Sequence, residues 1–484
     1  MSYGWLILVV TVSMIAHYAV VSRLQGVLTL DGIFVPSQWI MAVGTLVLLD
    51  SQDPRDSLYS IVVTLPMLIY ILVSIVVHFV LRKDWSGSVS EGARKVVFAV
   101  RLTPATGALL LSSIAIVVLY FRAVGYNVFL IGVSSFGTGV SHDYTTLRLE
   151  SYASSRYLYP GYVNQFKNCI LPALTVVVVH YLFHARRRHR KLISVALIIT
   201  SVVSLLGTGQ RGAFILFVLT TITFLYHMDR KLLPKRALIA LVTVGPLLVL
   251  STSILGRDAS QVASATGPFD KVGILVSEIG QRFFHVNQMS GQAGFHFTYG
   301  QPTQNGADWL RSVLGILPNS SGSTLPSQIF KSLYGTDRGT APPSMWGSVF
   351  YNFGWVGIIV LPIILAVLYQ SVTVWCIDRQ SMSSLELIGM SGTFVVCGNW
   401  IAGGPEYLLN AGGVTFAVLW WMGRRVQRLG GLTPDNSLLG TLPGSGAGAR
   451  RGSERDRSPT AWRFGHAVRS EPRPIDHWDH GNAT

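Results

Sequence analysis

The chain is organised around apolar runs long enough to cross a lipid bilayer. A hydrocarbon core about 30 Å thick takes about 20 mainly apolar residues per helix, because backbone N–H and C=O groups find no partner in lipid and must pair within the segment. Eleven stretches meet or approach that length: Tyr3–Val21, Ile33–Leu49, Tyr59–Leu81, Ala105–Phe121, Ile170–Phe183, Leu192–Leu206, Ala213–Tyr226, Ala237–Leu255, Trp355–Cys376, Leu385–Ala402 and Tyr407–Met422. They predict an all-α integral membrane protein of about 11 transmembrane helices. The composition agrees, with half of the 484 residues hydrophobic and 13% charged, against about a quarter charged in soluble chains. An ordinary soluble enzyme is excluded.

Lys and Arg in short connections mark the cytoplasmic side. Basic connections fall at 82–101, 185–191, 229–236 and 423–428, alternating with connections of near-neutral charge. The first basic residue is Arg23, after the first span, and Met1–Trp5 offers no basic leader. The first span is therefore expected to be retained, with its N-terminus outside and the C-terminus of the chain inside. The net charge of +15 then has a simple origin. Nearly all of the excess lies in the cytoplasmic connections, so it records orientation, and nucleic acid is not an expected partner.

On this topology residues 1–429 form the membrane domain and 430–484 a disordered cytoplasmic tail, rich in Gly, Pro, Ser and Arg and too poor in aliphatics to fold. Two outward loops are long. The first, 122–167, is Tyr-rich and carries Arg148 and Arg156; the second, 256–344, is the main extramembrane mass. In the second, Val272, Leu275, Ile279, Phe283 and Val286 recur at helical spacing, with Glu278, Arg282 and His285 on another face. A further amphipathic piece is expected at 308–318. Cys169, Cys376 and Cys397 all lie in apolar runs with no C-x-x-C pair, so neither a disulfide framework nor a zinc site is expected. No other metal or cofactor is expected, since the outward acids are scattered.

The most informative segment is L-L-G-T-G-Q-R-G at 205–212. Hydrophobic packing does not require an arginine between two spans. Gly207 and Gly209 let the backbone approach a ligand, and the start of the next helix offers free N–H donors to an anion. Beside them the Arg211 guanidinium suits a phosphate or pyrophosphate, which it can hold in a two-pronged grip. Arg282 is a second candidate, with a pairing to Glu278 as its plain alternative. Arg148 and Arg156 could equally sit at headgroups. His285 has the pKa range of a general base. At 340–357, T-A-P-P-S-M-W-G-S-V-F-Y-N-F-G-W-V-G leads into the ninth span, placing Tyr351 and Asn352 at the outer interface. An amide entering a span needs a partner.

In their order, the G-T-G-Q-R-G turn, the large outward loop with an Arg-bearing helix, the Pro-Ser…Asn-Phe-Gly-x-x-Gly entry and the Tyr-rich loop ending in Gly-Tyr resemble the bacterial O-antigen polymerases of the Wzy-like family. These are relatives of the O-antigen ligases, and the likeness spans roughly 105–425. The resemblance implies a glycosyltransferase of the cytoplasmic membrane that makes O-antigen, capsule or exopolysaccharide. Its substrates would be undecaprenyl-pyrophosphate-linked oligosaccharides, and a flippase and a chain-length regulator would be further partners. It implies that Arg211 and Arg282 hold the pyrophosphate. The ligases carry a histidine where this chain has Pro343 and Ser344, which favours polymerase over ligase and leaves Glu278, His285 and Asp337 as candidate bases. Two other readings stay open. One is a flippase for lipid-linked sugars; the other is a polyprenyl-phosphate-sugar transferase using Asp50, Asp53 and Asp56.

Overall fold

The computed structural model describes residues 3–81, 103–135, 143–153, 161–184, 189–210, 212–228, scattered positions from 273 to 285, 287–317, 320, 322–336, 339–379 and 382–429. Among these residues the regular structure is helical. In chain order the helices are α1 (Gly4–His17, continued by a π turn Tyr18–Ser22), α2 (Leu30–Leu48), α3 (Pro54–Leu81), α4 (Pro104–Val124), α5 (Val128–Ser135) and α6 (Tyr144–Ala153). There follow α7 (Tyr162–Phe183), α8 (Arg190–Leu206), α9 (Gly212–Met228), α10 (Asn287–Thr298), α11 (Ala307–Leu314) and α12 (Leu325–Tyr334). The chain closes with α13 (Met345–Ile377), α14 (Ser384–Gly398), α15 (Pro405–Asn410) and α16 (Gly413–Leu429). Six helices are long and apolar enough to cross a membrane, namely α1 with its extension to Gln25, α2, α3, α4, α7 and α13; α9 and α14 are shorter and apolar. The expected stretch Ala237–Leu255 and the tail from Gly430 lie outside the described residues.

The helices present apolar side chains outward as well as inward. Leu8, Val12 and Ile15 of α1, Leu72, Val76 and Phe79 of α3, and Val356, Ile364 and Leu368 of α13 are exposed. A water-soluble protein does not sustain apolar surface on that scale; a multi-pass membrane protein needs it. The interior holds polar groups that find one another. His17 Nε2 and Ser74 Oγ are 3.1 Å apart, Gln25 Nε2 donates to Gln370 Oε1 at 2.9 Å, and Gln370 Nε2 reaches Ser74 Oγ at 3.0 Å and the Asp31 carboxylate, which Tyr70 also contacts. This network ties α1, α2, α3 and α13 together where lipid offers no hydrogen-bonding partner.

Glycines set the closest crossing. A Cβ at Gly389 of α14 would run into the Trp420 backbone of α16, and one at Gly423 into the Glu386 backbone. Small residues bring the two helices into backbone contact, as packing within a membrane favours.

Three spans begin well before hydropathy predicts, the third at Pro54 rather than Tyr59, and the eleventh, expected over Tyr407–Met422, is broken after Asn410 into α15 and α16. The ninth starts at Met345 rather than Trp355, capped by Ser344 Oγ accepting from Gly347 N at 3.0 Å, and breaks at Gly354 (φ +58°). The fifth starts at Tyr162 and contains a π turn, Phe166–Ile170.

Candidate functional site

The G-T-G-Q-R-G turn joins α8 to α9 and is held from several sides. Val128 N donates to Gly207 O at 2.8 Å, and Asn127 Nδ2 reaches Val203 O at 3.3 Å. A Cβ at Gly207 would overlap Phe121 and lie 2.5 Å from Asn127 Nδ2 and 2.7 Å from Val203 O. Only glycine fits there. Gly209 turns the chain with φ +71°, a conformation that costs other residues about 1–2 kcal/mol. Leu205, Leu206, Val128, Phe129 and Phe214 form a small core under the turn, with Tyr144 and Leu147 of α6 packed against it. That packing brings Arg148 over the turn: its Cβ and Cδ lie 3.6 and 3.7 Å from the position of a Cβ on Gly209. Arg148, Gly207 and Gly209 therefore share one site. Arg211 lies outside the described residues, between Gln210 and Gly212, which are described.

Beneath the turn is a residue that hydropathy does not single out. Lys167 is fully buried on the π turn of α7. Its Nζ donates to Asn168 Oδ1 at 2.7 Å and to Thr208 Oγ1 at 3.2 Å. Beside it a cavity of about 130 Å³ is lined by Asn168, Gln210 and Asn410 in an otherwise apolar wall of Cys169, Ala213, Leu216, Phe217, Ala411 and Phe416. The far wall is fixed to α7 by Gln165, which donates to Leu409 O at 3.1 Å and accepts from Thr415 Oγ1 at 2.7 Å. The only sequence signal for Lys167 is a cation at the mouth of an apolar run with no acid close by.

Tyr351 and Asn352 do other work. Asn352 is buried; its Oδ1 accepts from Trp309 N at 3.2 Å and its Nδ2 donates to Ser348 O at 3.0 Å. Gln304 N donates to Tyr351 O at 3.0 Å and Gly306 N to Asn352 O at 3.2 Å. These bonds dock α11 onto the first turns of α13. The docked loop also reaches α7, where Tyr162 Oη donates to Ile316 O at 2.9 Å. The Tyr351 ring packs on the Leu325–Ile329–Ala341 cluster. Neither Tyr351 nor Asn352 is a neighbour of the turn in these contacts.

His285 is exposed. Arg282, Glu278, Arg156 and Asp337 lie outside the described residues. The acids of the 50–56 run already have partners. Arg55 pairs with Asp53 at 2.6 Å and, chiefly by hydrogen bonding, pulls its carboxyl down to about 2. Asp56 is buried and accepts from His296 Nε2 at 2.6 Å, from Gln292 Nε2 at 3.0 Å and from Asp50 N at 2.8 Å. Among the described residues, no group of three or more His, Cys, Asp or Glu could hold a metal ion.

Together these features define a multi-pass helical membrane protein with a glycine-bound turn, covered by Arg148, beside a small cavity of mixed polar and apolar lining. The family model described as O-antigen polysaccharide polymerase Wzy matches residues 113–397, more than half of the chain, and the protein belongs to that family. The match takes in the turn, Lys167 and the start of α13. No curated protein and no solved structure matches the chain.

Proposed function

We propose that this polymerase extends a glycan carried on undecaprenyl pyrophosphate at the outer face of the cytoplasmic membrane, through eleven spans with the N-terminus outside. The single observation that carries the reading is the G-T-G-Q-R-G turn, held tightly at Gly207, with Arg148 laid over Gly209 and a cavity lined in part by Asn168, Gln210 and Asn410 at its side. In the reaction the bond between the anomeric carbon of the growing chain and the pyrophosphate oxygen breaks. The pyrophosphate leaves on its lipid with the bonding electrons. A hydroxyl oxygen of the next lipid-linked repeat unit forms the new bond to that carbon, and its proton passes to a base, for which Glu278, His285 and Asp337 are the candidates. Arg211, with Arg148 and Arg282, holds the pyrophosphate and stabilises the charge that develops as it departs. Arg156, near the end of the same outward loop, would meet the substrate's headgroup region.

A preorganised cation at a developing phosphate charge is typically worth about 10²–10³ in rate. Arg211→Ala, at wild-type membrane level, is therefore expected to cut polymer output by about that factor, read from glycans resolved by length. Unchanged polymer would remove the pyrophosphate role. The transferase reading built on Asp50, Asp53 and Asp56 is less supported, because Asp53 and Asp56 are occupied by Arg55, His296 and Gln292. A flippase is separated by location: loss of a flippase traps single units inside, and loss of a polymerase leaves them outside.

A further inference from the structure

Lys167 stands out as a buried cation with no opposite charge. Its ammonium is fully removed from solvent and has two neutral oxygens as partners, Asn168 Oδ1 and Thr208 Oγ1. Among the described residues no carboxylate pairs with it. An unbalanced ammonium is expensive in a medium of low dielectric, and an apolar side chain of similar volume would pack there at less cost. A third N–H of the ammonium has no acceptor among the described residues.

Its position suggests what balances the charge. One partner, Thr208, is the residue between the two glycines of the turn, and the other, Asn168, lines the cavity that Gln210 and Asn410 share. The helix carries a π turn at this level, a local widening that recurs at functional sites. A cavity of about 130 Å³ is close to one that takes a benzene ring. A phosphate group fits such a space and an oligosaccharide does not.

We infer that Lys167 is the buried counter-charge of the turn, acting through Asn168 on one phosphate group of a diphosphate, seated in the adjoining cavity. The inference rests on the polymerase reading for the identity of that diphosphate as the substrate's. Lys167 is a positioning residue: it holds Asn168, which lines the cavity, and supplies positive potential from the protein side.

The test uses the full-length protein in phosphatidylcholine nanodiscs, titrated calorimetrically with inorganic pyrophosphate. Wild type is expected to bind. Lys167→Met is expected to bind about tenfold more weakly or worse, the effect of losing a charge-assisted contact. Lys167→Arg keeps most of the affinity, and Thr208→Val, which leaves the charge but removes its acceptor, falls between. Without ligand, Lys167→Met melts no lower than wild type, because it removes an unbalanced charge. A merely structural lysine gives the reverse pattern, a lower melting temperature with affinity intact, and that result overturns the inference. If phosphatidylglycerol in the nanodisc displaces pyrophosphate from the wild type, the seat takes lipid headgroups and the diphosphate assignment is overturned. Absence of pyrophosphate binding by the wild type also overturns it. The two readings fail separately. Intact binding by Lys167→Met with binding lost in Arg211→Ala removes only the role of Lys167. Weakened binding by Lys167→Met in a strain that still makes normal polymer supports the anion seat and removes its part in polymerisation.

Discussion

At the scale of single residues, the turn depends on two glycines for different reasons. Gly207 is a matter of space, since Phe121, Asn127 and the Val203 carbonyl occupy the volume of any side chain. Gly209 is a matter of backbone conformation, with ordinary contact distances around it. Gly207→Ala is expected to cost about 1–3 kcal/mol through overpacking, seen as a lower melting temperature. Gly209→Ala is expected to cost about 1–2 kcal/mol through backbone strain alone, seen as a lower melting temperature with Arg148 left in place. Asp56→Ala leaves His296, Gln292 and the Asp50 N–H without their acceptor. That change should destabilise by about 3 kcal/mol, measurable by thermal unfolding in detergent. The glycines and Arg211 could be picked out of the sequence because their pattern is local. Lys167 could not, because what makes it unusual is its burial against Thr208, 41 residues away along the chain. Asp56 likewise reads as one of three surface acids until His296, 240 residues on, packs against it.

At the scale of helices, hydropathy located the apolar middles and misplaced several starts, most of all those of the fifth and ninth spans. The ninth span is longer at its N-terminal end because Trp346, Ser348 and Asn352, which look unfit for a membrane, are covered by Gln38, Trp309 and the docked 304–309 segment. The fifth is longer because Gln165, Lys167 and Asn168 face α15, α16 and the turn rather than lipid. Polar residues shielded by other elements are invisible to a sum over one segment. Asn352→Leu removes the acceptor of Trp309 N and the docking bond with it. The variant should lose about 1–3 kcal/mol and become open to limited proteolysis around 300–317 while α13 stays protected. Unchanged protection of that segment would show that Asn352 does not hold the loop.

At the scale of the whole molecule, the all-helical membrane architecture was readable from composition and run length, and the family from the order of motifs. The site was only partly readable. Arg148 meets the turn because α5 and α6 fold back onto α8 and α9, a tertiary arrangement that no local pattern encodes. The central claim joins these levels: a polymerase whose turn holds the pyrophosphate of a lipid-linked glycan. It is tested most directly by the glycans of a strain lacking this protein, resolved by length and by membrane side, and of the same strain re-expressing wild type or Arg211→Ala at equal membrane level. The account predicts single lipid-linked repeat units at the outer face in the deletion strain, a full ladder with wild type, and few or no steps above one unit with Arg211→Ala. A full ladder with Arg211→Ala, or single units held inside in the deletion strain, would contradict it.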